Sequence, residues 1–208
     1  MLSDKPGATE ERALSHSTEP MAAMDAIQSR RSVRSYIPQR LDRTSVTKLL
    51  SAAVRAPTAV HQEPWAFVVV QDRDALKRLS DTAKPLFVRD VQRASLDHGG
   101  HGLDVFAKPD FDIFYNAGTL IVICGPSAGA FVAADCWLAA ENLMIAACAM
   151  GLGTCVIGSA LAALNLPEVR AELGIPSGFS AIAPIVVGVP RGETPLTSRK
   201  EPRVLAWR

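Results

Sequence analysis

The chain has 208 residues, 48% of them hydrophobic and 21% charged, a composition that is typical of globular proteins and excludes wholesale disorder. A chain of this length buries roughly 70% of its unfolded surface, so it needs no metal or disulfide to fold. Its 22 basic and 21 acidic residues leave a net charge of +1, so no global field attracts nucleic acid or an anionic membrane.

The N-terminal segment and the cysteines indicate the compartment. Residues 1–20 are polar and partly acidic, with no apolar stretch, so we expect a disordered tail rather than a signal peptide. Residues 21–208 are expected to form one domain. The four cysteines lie in apolar runs without a Cys-x-x-Cys pair or a histidine at ligand spacing. This pattern is typical of core thiols in a reducing cytoplasm and predicts no metal site.

Hydrophobic periodicity, together with proline and glycine positions, predicts a succession of helices and strands. The predicted helices are Pro20–Ser29, a segment carrying Val46 to Val54 that ends before Pro57, a segment capped by Asp72 that carries Leu76 and Leu79, Ala130–Met150, and Pro167–Leu173. The predicted strands are Trp65–Gln71, Thr119–Cys124, Thr154–Ile157 and Ser180–Val189. The segment Lys84–Asp112 lacks periodicity and is predicted to be irregular, as lids and binding excursions are.

The helix Ala130–Met150 is apolar on nearly all sides and long enough to cross a bilayer. Asp135, Glu141 and Asn142 argue against a membrane span, because charged groups at mid-membrane are costly. A helix that is apolar all round in a soluble chain has to be covered all round. We therefore predict a central helix that a second copy of the chain partly covers. The apolar cluster at residues 204–207, which ends a polar tail, is expected to dock on another surface such as the partner's.

Three arginines and a serine stand within five residues, in the run Arg30-Arg31-Ser32-Val33-Arg34, directly after the first predicted helix. Guanidinium groups supply bidentate donors and the hydroxyl supplies one more, so the run could cradle a phosphate. The alternative is a helix end whose arginines complement the helix dipole and face solvent. The run by itself leaves both alternatives open.

Three further motifs are ambiguous when taken singly. The loop Ala56–Trp65 has small and hydroxylic residues that would let a flat ligand approach its backbone. The stretch Gly151–Gly158 has Val156 where a dinucleotide fingerprint needs its third glycine, and it runs from helix into strand, so only a glycine-rich turn remains. The stretch Gly125–Gly129 matches a hydrolase nucleophile elbow, but all four histidines precede Ser127 and the triad lacks its base.

Taken together and in chain order, five motifs resemble the nitroreductase family of FMN-dependent oxidoreductases. They are Ile27–Arg34, Ala56–Ala59 with Glu63–Phe67, Glu141–Met144, Gly151–Gly158 and Arg199–Pro202. The resemblance extends from Met24 to Trp207. It implies an α+β fold with a mixed, mainly antiparallel sheet flanked by helices. It also implies an intertwined homodimer with two FMN molecules at the subunit interface, each contacted by both chains.

The resemblance further implies which residues would bind FMN: Arg30, Arg31, Ser32, Arg34, Pro57, Thr58, Ala59, His61, Ile157, Gly158, Arg199 and Lys200. Arg30, Ser32 and the tail cations would hold the phosphate and ribityl chain. Residues 57–59 would line the ring from the other subunit, and the amides of residues 157 and 158 would approach flavin N5. Arg34 would lie near the N1/O2 edge, where a cation stabilises negative charge on the reduced ring.

One stretch departs from the family pattern. Many members carry Asn and Gln where this chain has His61 and Glu63. His61 would then serve as a polar contact to the ring or ribityl chain. Glu63 would bring a carboxylate near an anionic cofactor, so it is expected either to turn away or to pair with Arg31.

The implied activity is a ping-pong hydride relay from NAD(P)H through flavin N5 to an electron-poor acceptor such as a nitroaromatic, quinone or enal-like compound. The flavin carries the chemistry, so no catalytic side chain is implied. The alternatives are an enzyme on the same scaffold with different chemistry (reductive dehalogenation or flavin cleavage), a flavin-binding or storage protein without turnover, and a hydrolase that uses Ser127. The implied location is the cytoplasm.

Overall fold

The computed structural model describes residues 21–93 and 103–208. The prediction for residues 1–20, and part of that for Lys84–Asp112, lie outside this range. The described helices are α1 (Ala23–Ser29), α2 (Arg43–Ala53), α3 (Arg73–Arg93), α4 (Val132–Ala149), α5 (Leu161–Leu164) and α6 (Pro167–Glu172). The described strands are β1 (Ala66–Val70), β2 (Thr119–Pro126), β3 (Gly153–Val156) and β4 (Phe179–Gly188).

The four strands form one sheet in the order β1-β2-β4-β3, and each neighbouring pair is antiparallel. Val68 lies opposite Val122, and Ile121 lies opposite Ile185. A parallel bridge joins Ser32 to Thr154 at the β3 edge. The sheet is therefore mainly antiparallel with a small parallel component, and the predicted α+β class is confirmed.

Both faces of the sheet are covered, which explains why β2 is apolar along its whole length. Alternate side chains of β2 point to opposite faces. Leu120 and Val122 belong to a core with α3 and α5, whereas Ile121 and Ile123 belong to a second core with α2 and α4. The sheet is thus enclosed on both sides.

The central helix α4 packs against β2, β4 and α2. By length and mean hydropathy, 1.4 over 18 residues, it is long and apolar enough to cross a bilayer, but a core helix passes the same test. Four exposed side chains on α4 and its neighbour α1 form what we call the α1–α4 face: Met24, Ile27, Trp137 and Leu138. The predicted central helix is confirmed, and its exposed side is mainly apolar, with Glu141 as a charged residue among the apolar ones.

The prediction of irregular structure from Lys84 onward is wrong for the first ten residues, because α3 continues through Pro85 to Arg93. A proline inside a helix removes one backbone hydrogen bond, which made a helix end the natural expectation. Packing overrides this preference, since Leu79, Ala83 and Val91 are all buried. The start of α3 is as predicted, with the Ala75 amide donating to Asp72 Oδ1 at 2.7 Å.

Lys84 joins α3 to the segment that precedes β2. Its side chain is buried, and Nζ donates to the carbonyl oxygen of Phe111 at 3.1 Å and lies 3.0 Å from Asp81 Oδ1. Hydrogen bonds from Lys77 and Lys84 hold the pKa of Asp81 below its usual value. Since the folded pKa is the lower one, this contribution to stability is present at neutral pH and is lost as the pH falls through the folded value.

We expect Lys84→Met to lower the free energy of unfolding by about 1–2 kcal/mol, because it removes the donor of the part-buried hydrogen bond to Phe111 and the partner of Asp81. Lys77→Met is the matched control, since Lys77 pairs with the same carboxylate at 2.8 Å but is exposed. The loss in the free energy of unfolding caused by Lys77→Met should be clearly smaller than that caused by Lys84→Met. Urea unfolding at neutral pH and equal protein concentration measures both, and equal losses would contradict the assignment.

Candidate functional site

An extended segment, residues 30–37, follows α1 and lies along the β3 edge of the sheet. The Val33 amide donates to the carbonyl oxygen of Thr154 at 2.9 Å, and the Ile37 amide donates to that of Val189 at 3.0 Å. Val33 is buried, so Ser32 and Arg34 lie on the opposite, exposed side of the segment. The arginine-serine run is therefore an edge segment with its polar side chains facing outward.

Gly153 allows this segment to approach β3 closely. A Cβ at position 153 would lie 2.7 Å from Val33 Cγ2 and 3.0 Å from Pro190 Cγ. Any side chain there would push the segment away from the strand. This close packing is a physical reason for a glycine within the Gly151–Gly158 stretch.

Arg30 and Arg31 line a cleft of about 230 Å³ together with the turn before β3. Arg30 Nε lies 3.5 Å from Glu141 Oε1 on α4. Arg31 Nη1 donates to the carbonyl oxygens of Gln28 at 2.5 Å and Arg30 at 2.8 Å, at the end of α1. Arg31 therefore interacts with the end of α1, as the alternative to a phosphate site predicts. Arg30 is only loosely paired with Glu141, so its guanidinium N–H groups can still donate to a ligand.

Arg34 lies in a neighbouring cleft of about 250 Å³, which Lys108 and Tyr115 also line. Burial raises the pKa of Tyr115, and the nearby Arg34 guanidinium partly opposes this rise. Burial likewise raises the pKa of the Cys155 thiol, again against the effect of Arg34. The guanidinium is thus placed beside two neutral groups, in a cleft that the carboxylates of Asp110 and Asp112 also line.

Ile157 and Gly158 follow directly after β3. The Ile157 amide donates to the carbonyl oxygen of Pro184 at 2.9 Å, so it is engaged within the fold, unlike its implied role. A Cβ on Gly158 would meet nothing within 4 Å. Of the two residues, Gly158 therefore presents an open backbone face.

The loop between α2 and β1 adopts an unusual backbone conformation. Val60, His61 and Glu63 have φ of 47°, 55° and 44°, in the left-handed region that non-glycine residues rarely adopt. Each such residue costs of order 1–3 kcal/mol and persists only where its surroundings impose it. The Ala59 amide donates to the buried carboxylate of Asp135 on α4, at 3.3 Å from Oδ1 and 3.2 Å from Oδ2. The loop is therefore strained and attached to α4.

The C-terminal tail is extended and exposed. Every residue from 195 to 208 is exposed, including Arg199, Lys200 and the apolar Leu205 and Trp207, the last at 90%. These residues are not packed into a site within their own chain, which agrees with the expectation that the tail docks elsewhere.

Residues 27–189 match the family model described as the nitroreductase family. The chain belongs to the nitroreductase family. It is 28% identical over 172 residues to an Archaeoglobus fulgidus protein assigned the name NADH dehydrogenase/NAD(P)H nitroreductase. The alignment covers 80% of this chain and 84% of that one.

Two solved structures show the nitroreductase fold. A Bacteroides fragilis nitroreductase with bound FMN superposes with a TM-score of 0.75 at 24% identity, over 89% of this chain and 98% of that one. Iodotyrosine deiodinase bound to FMN and 3-iodo-L-tyrosine superposes with a TM-score of 0.65 at 21% identity, over 88% and 97%.

The residues that the family resemblance implies for FMN binding fall into three groups in the structure. The first surrounds β3 and contains Arg30, Arg31, Ser32, Arg34 and Gly158. The second is the loop of residues 57–61, which is held at the N-terminal end of α4. The third is the pair of cations in the exposed tail. Within the described part of one chain, Arg30 and Arg31 share a cleft at β3, and Arg34 lines a second cleft.

Two polar residues at these groups were not identified from the sequence. Tyr115 lies beside Arg34, and Asp135 binds the Ala59 amide. A signal existed for Asp135, which is a carboxylate inside an otherwise apolar helix segment. Tyr115 had none, because it lies in a segment without periodicity.

Proposed function

We propose that this oxidoreductase-family chain binds FMN at the β3 site and transfers hydride from NAD(P)H to an electron-poor acceptor. The observation that carries the proposal is the cleft at β3, which Arg30 and Arg31 line together with the glycine-rich turn that precedes the strand. The A. fulgidus relative's assigned name and the FMN-bound B. fragilis structure support the cofactor and the reductant.

The donor set suits a phosphorylated, flat heterocycle. Arg30 and Ser32 offer charged and neutral donors to a phosphate and ribityl chain. Gly158 leaves room for a ring edge because a Cβ there would meet nothing within 4 Å. When bound, FMN would supply the hydride-accepting and hydride-donating centre.

The side chains of the site would orient the bound FMN ring and stabilise negative charge on it. The Arg34 guanidinium, beside Tyr115 and Cys155, favours negative charge at the edge it faces. The Gly158 backbone would meet the opposite edge. Phe111 and Tyr115 line the Arg34 cleft, which suits an aromatic acceptor or the nicotinamide ring. No side-chain acid or base is required.

The proposed site is completed by a second copy of the chain. The α1–α4 face is apolar and exposed, and a homodimer would cover it. Residues 57–61 and the tail cations Arg199 and Lys200 would reach the cofactor from the partner. The four free cysteines agree with a cytoplasmic location, which we also propose.

Stopped-flow mixing of the FMN-loaded protein with NADH and with NADPH tests the proposed reaction. We expect the flavin absorption to bleach with at least one of them and to recover when a quinone or nitroaromatic is added. A flavin that stays oxidised with both would indicate a storage protein instead. Preferential recovery with a halophenol, releasing halide, would indicate the dehalogenation alternative.

Gly158→Ala tests the position of the cofactor. A methyl group at this position meets no protein atom, so stability should stay within about 0.5 kcal/mol of wild type. FMN affinity should fall roughly tenfold or more, because the methyl group would overlap the position proposed for the flavin ring. Gly178→Ala is the matched control, as its Cβ also meets nothing within 4 Å. FMN titration by fluorescence measures both, and equal affinities would place the ring elsewhere.

A further inference from the structure

We propose that Asp135 is a positioning residue that fixes the loop of residues 57–61 in its ligand-binding shape through the Ala59 amide. The inference rests on the proposed function in one respect, since that loop is assigned there to the lining of the cofactor site. It assigns a role to a buried carboxylate that the reaction itself does not use.

Asp135 is 3% exposed and lies in the first turn of α4. Both of its oxygens lie within 3.3 Å of the Ala59 nitrogen. A carboxylate is costly to bury unless a charge or hydrogen bond compensates it. The Ala59 amide and the nearby N-terminal end of α4 supply this compensation. The carboxylate is thus directed at the loop.

Helix capping does not explain the residue. The position that caps α4 is Phe131, and no side chain caps that end. The Asp135 amide already donates to the carbonyl oxygen of Phe131 at 2.9 Å. The side chain therefore serves a segment 76 residues away in sequence and not its own helix.

In the part of the chain that the structure describes, the other hydrogen bonds of the loop are local, and the Gln62 amide donates to the carbonyl oxygen of Ala59 at 3.2 Å. The amide of Glu63 donates to Thr58 Oγ1 at a long 3.4 Å, and Val60 is 79% exposed. Two of its residues, Val60 and His61, and the nearby Glu63 nevertheless occupy the left-handed region. The hydrogen bond from Ala59 to Asp135 joins this strained segment to α4. Without it, we expect the loop to sample other conformations.

Paired substitutions separate this role from general packing. Asp135→Asn keeps the shape and removes the charge. Ala59→Pro removes the amide hydrogen, and the preceding Thr58, at φ −131° and ψ 149°, already has the conformation that a residue before proline adopts. Asp74→Asn is the matched control, an exposed carboxylate in the first turn of α3.

We expect Ala59→Pro, which removes the donor, to weaken FMN binding about tenfold. Asp135→Asn should weaken it by a smaller factor, because the Asn oxygen still accepts but no longer carries a charge. The double variant should be no weaker than Ala59→Pro, because both changes act on the same hydrogen bond. Asp74→Asn should bind as wild type does. Additive losses in the double variant, or wild-type affinity in Asp135→Asn, would overturn the proposal.

Hydrogen exchange of residues 60–63 in the FMN-free protein keeps the test independent of the proposed function. We expect faster exchange in Asp135→Asn than in wild type and in Asp74→Asn. If wild type binds no FMN, the proposed function fails but this comparison still reports on Asp135. Unchanged exchange in residues 60–63 would overturn the positioning role.

Discussion

Replacing Leu138 with glutamate is expected to convert the proposed homodimer into monomers and, as a consequence, to abolish the proposed FMN binding. Leu138 is 45% exposed on α4, beside the exposed Trp137. Burying a leucine contributes about 1.5–3 kcal/mol, and a symmetric interface counts the residue twice. A carboxylate there would have to be desolvated without a partner. The residues proposed to reach the cofactor from the second copy would be lost with the proposed dimer.

Sedimentation velocity and FMN titration at one protein concentration measure the two effects together. Gln92→Glu is the control, because it adds the same charge at an exposed position of α3. Circular dichroism shows whether the Leu138→Glu monomer stays folded. A variant that stays dimeric would remove the α1–α4 face from the interface. A folded monomer that still binds FMN tightly would show that one chain completes the site.

Replacing Arg34 with glutamine is expected to slow the reduction of bound FMN by NAD(P)H roughly 10²-fold, the usual loss for one preorganised electrostatic donor. Arg34 faces the cleft from an exposed edge position, so the fold should tolerate the change. The reason for the slower rate is that, in the proposed site, negative charge would develop on the ring edge that Arg34 would face. The reduction potential of the bound flavin should fall as well.

Two variants serve as controls for Arg34. Arg34→Lys keeps the charge but not the planar geometry, so it should recover part of the rate. Arg40→Gln removes an exposed arginine from a different cleft and should leave the rate unchanged. Stopped-flow reduction and a redox titration measure rate and potential. An unchanged potential in Arg34→Gln would remove Arg34 from the flavin edge.

The sequence predicts the central elements of the fold well, because their apolar runs are long. The helix predicted as Ala130–Met150 is observed as Val132–Ala149. The strand predicted as Thr119–Cys124 is observed as Thr119–Pro126, so it ends two residues later than predicted. Short or interrupted patterns were harder to interpret. Leu161–Leu164 is too short to show a period, and Pro85 conceals the second half of α3.

The site is less accessible to sequence reasoning, because side-chain direction and distant contacts are not local properties. The run from Arg30 to Arg34 predicts a cation cluster, yet only the structure shows that Arg31 turns back to the end of α1. The contact between Ala59 and Asp135 spans 76 residues and leaves no local pattern. Likewise, the engagement of the Ile157 amide by Pro184 depends on strand pairing.

Sedimentation velocity of the purified wild-type protein, followed at both the protein and the flavin absorption bands, tests the central claim most directly. The account predicts one yellow species of twice the mass of a single chain, carrying one FMN per chain. A colourless monomer that takes up no FMN, even when the cofactor is supplied in excess, would contradict it.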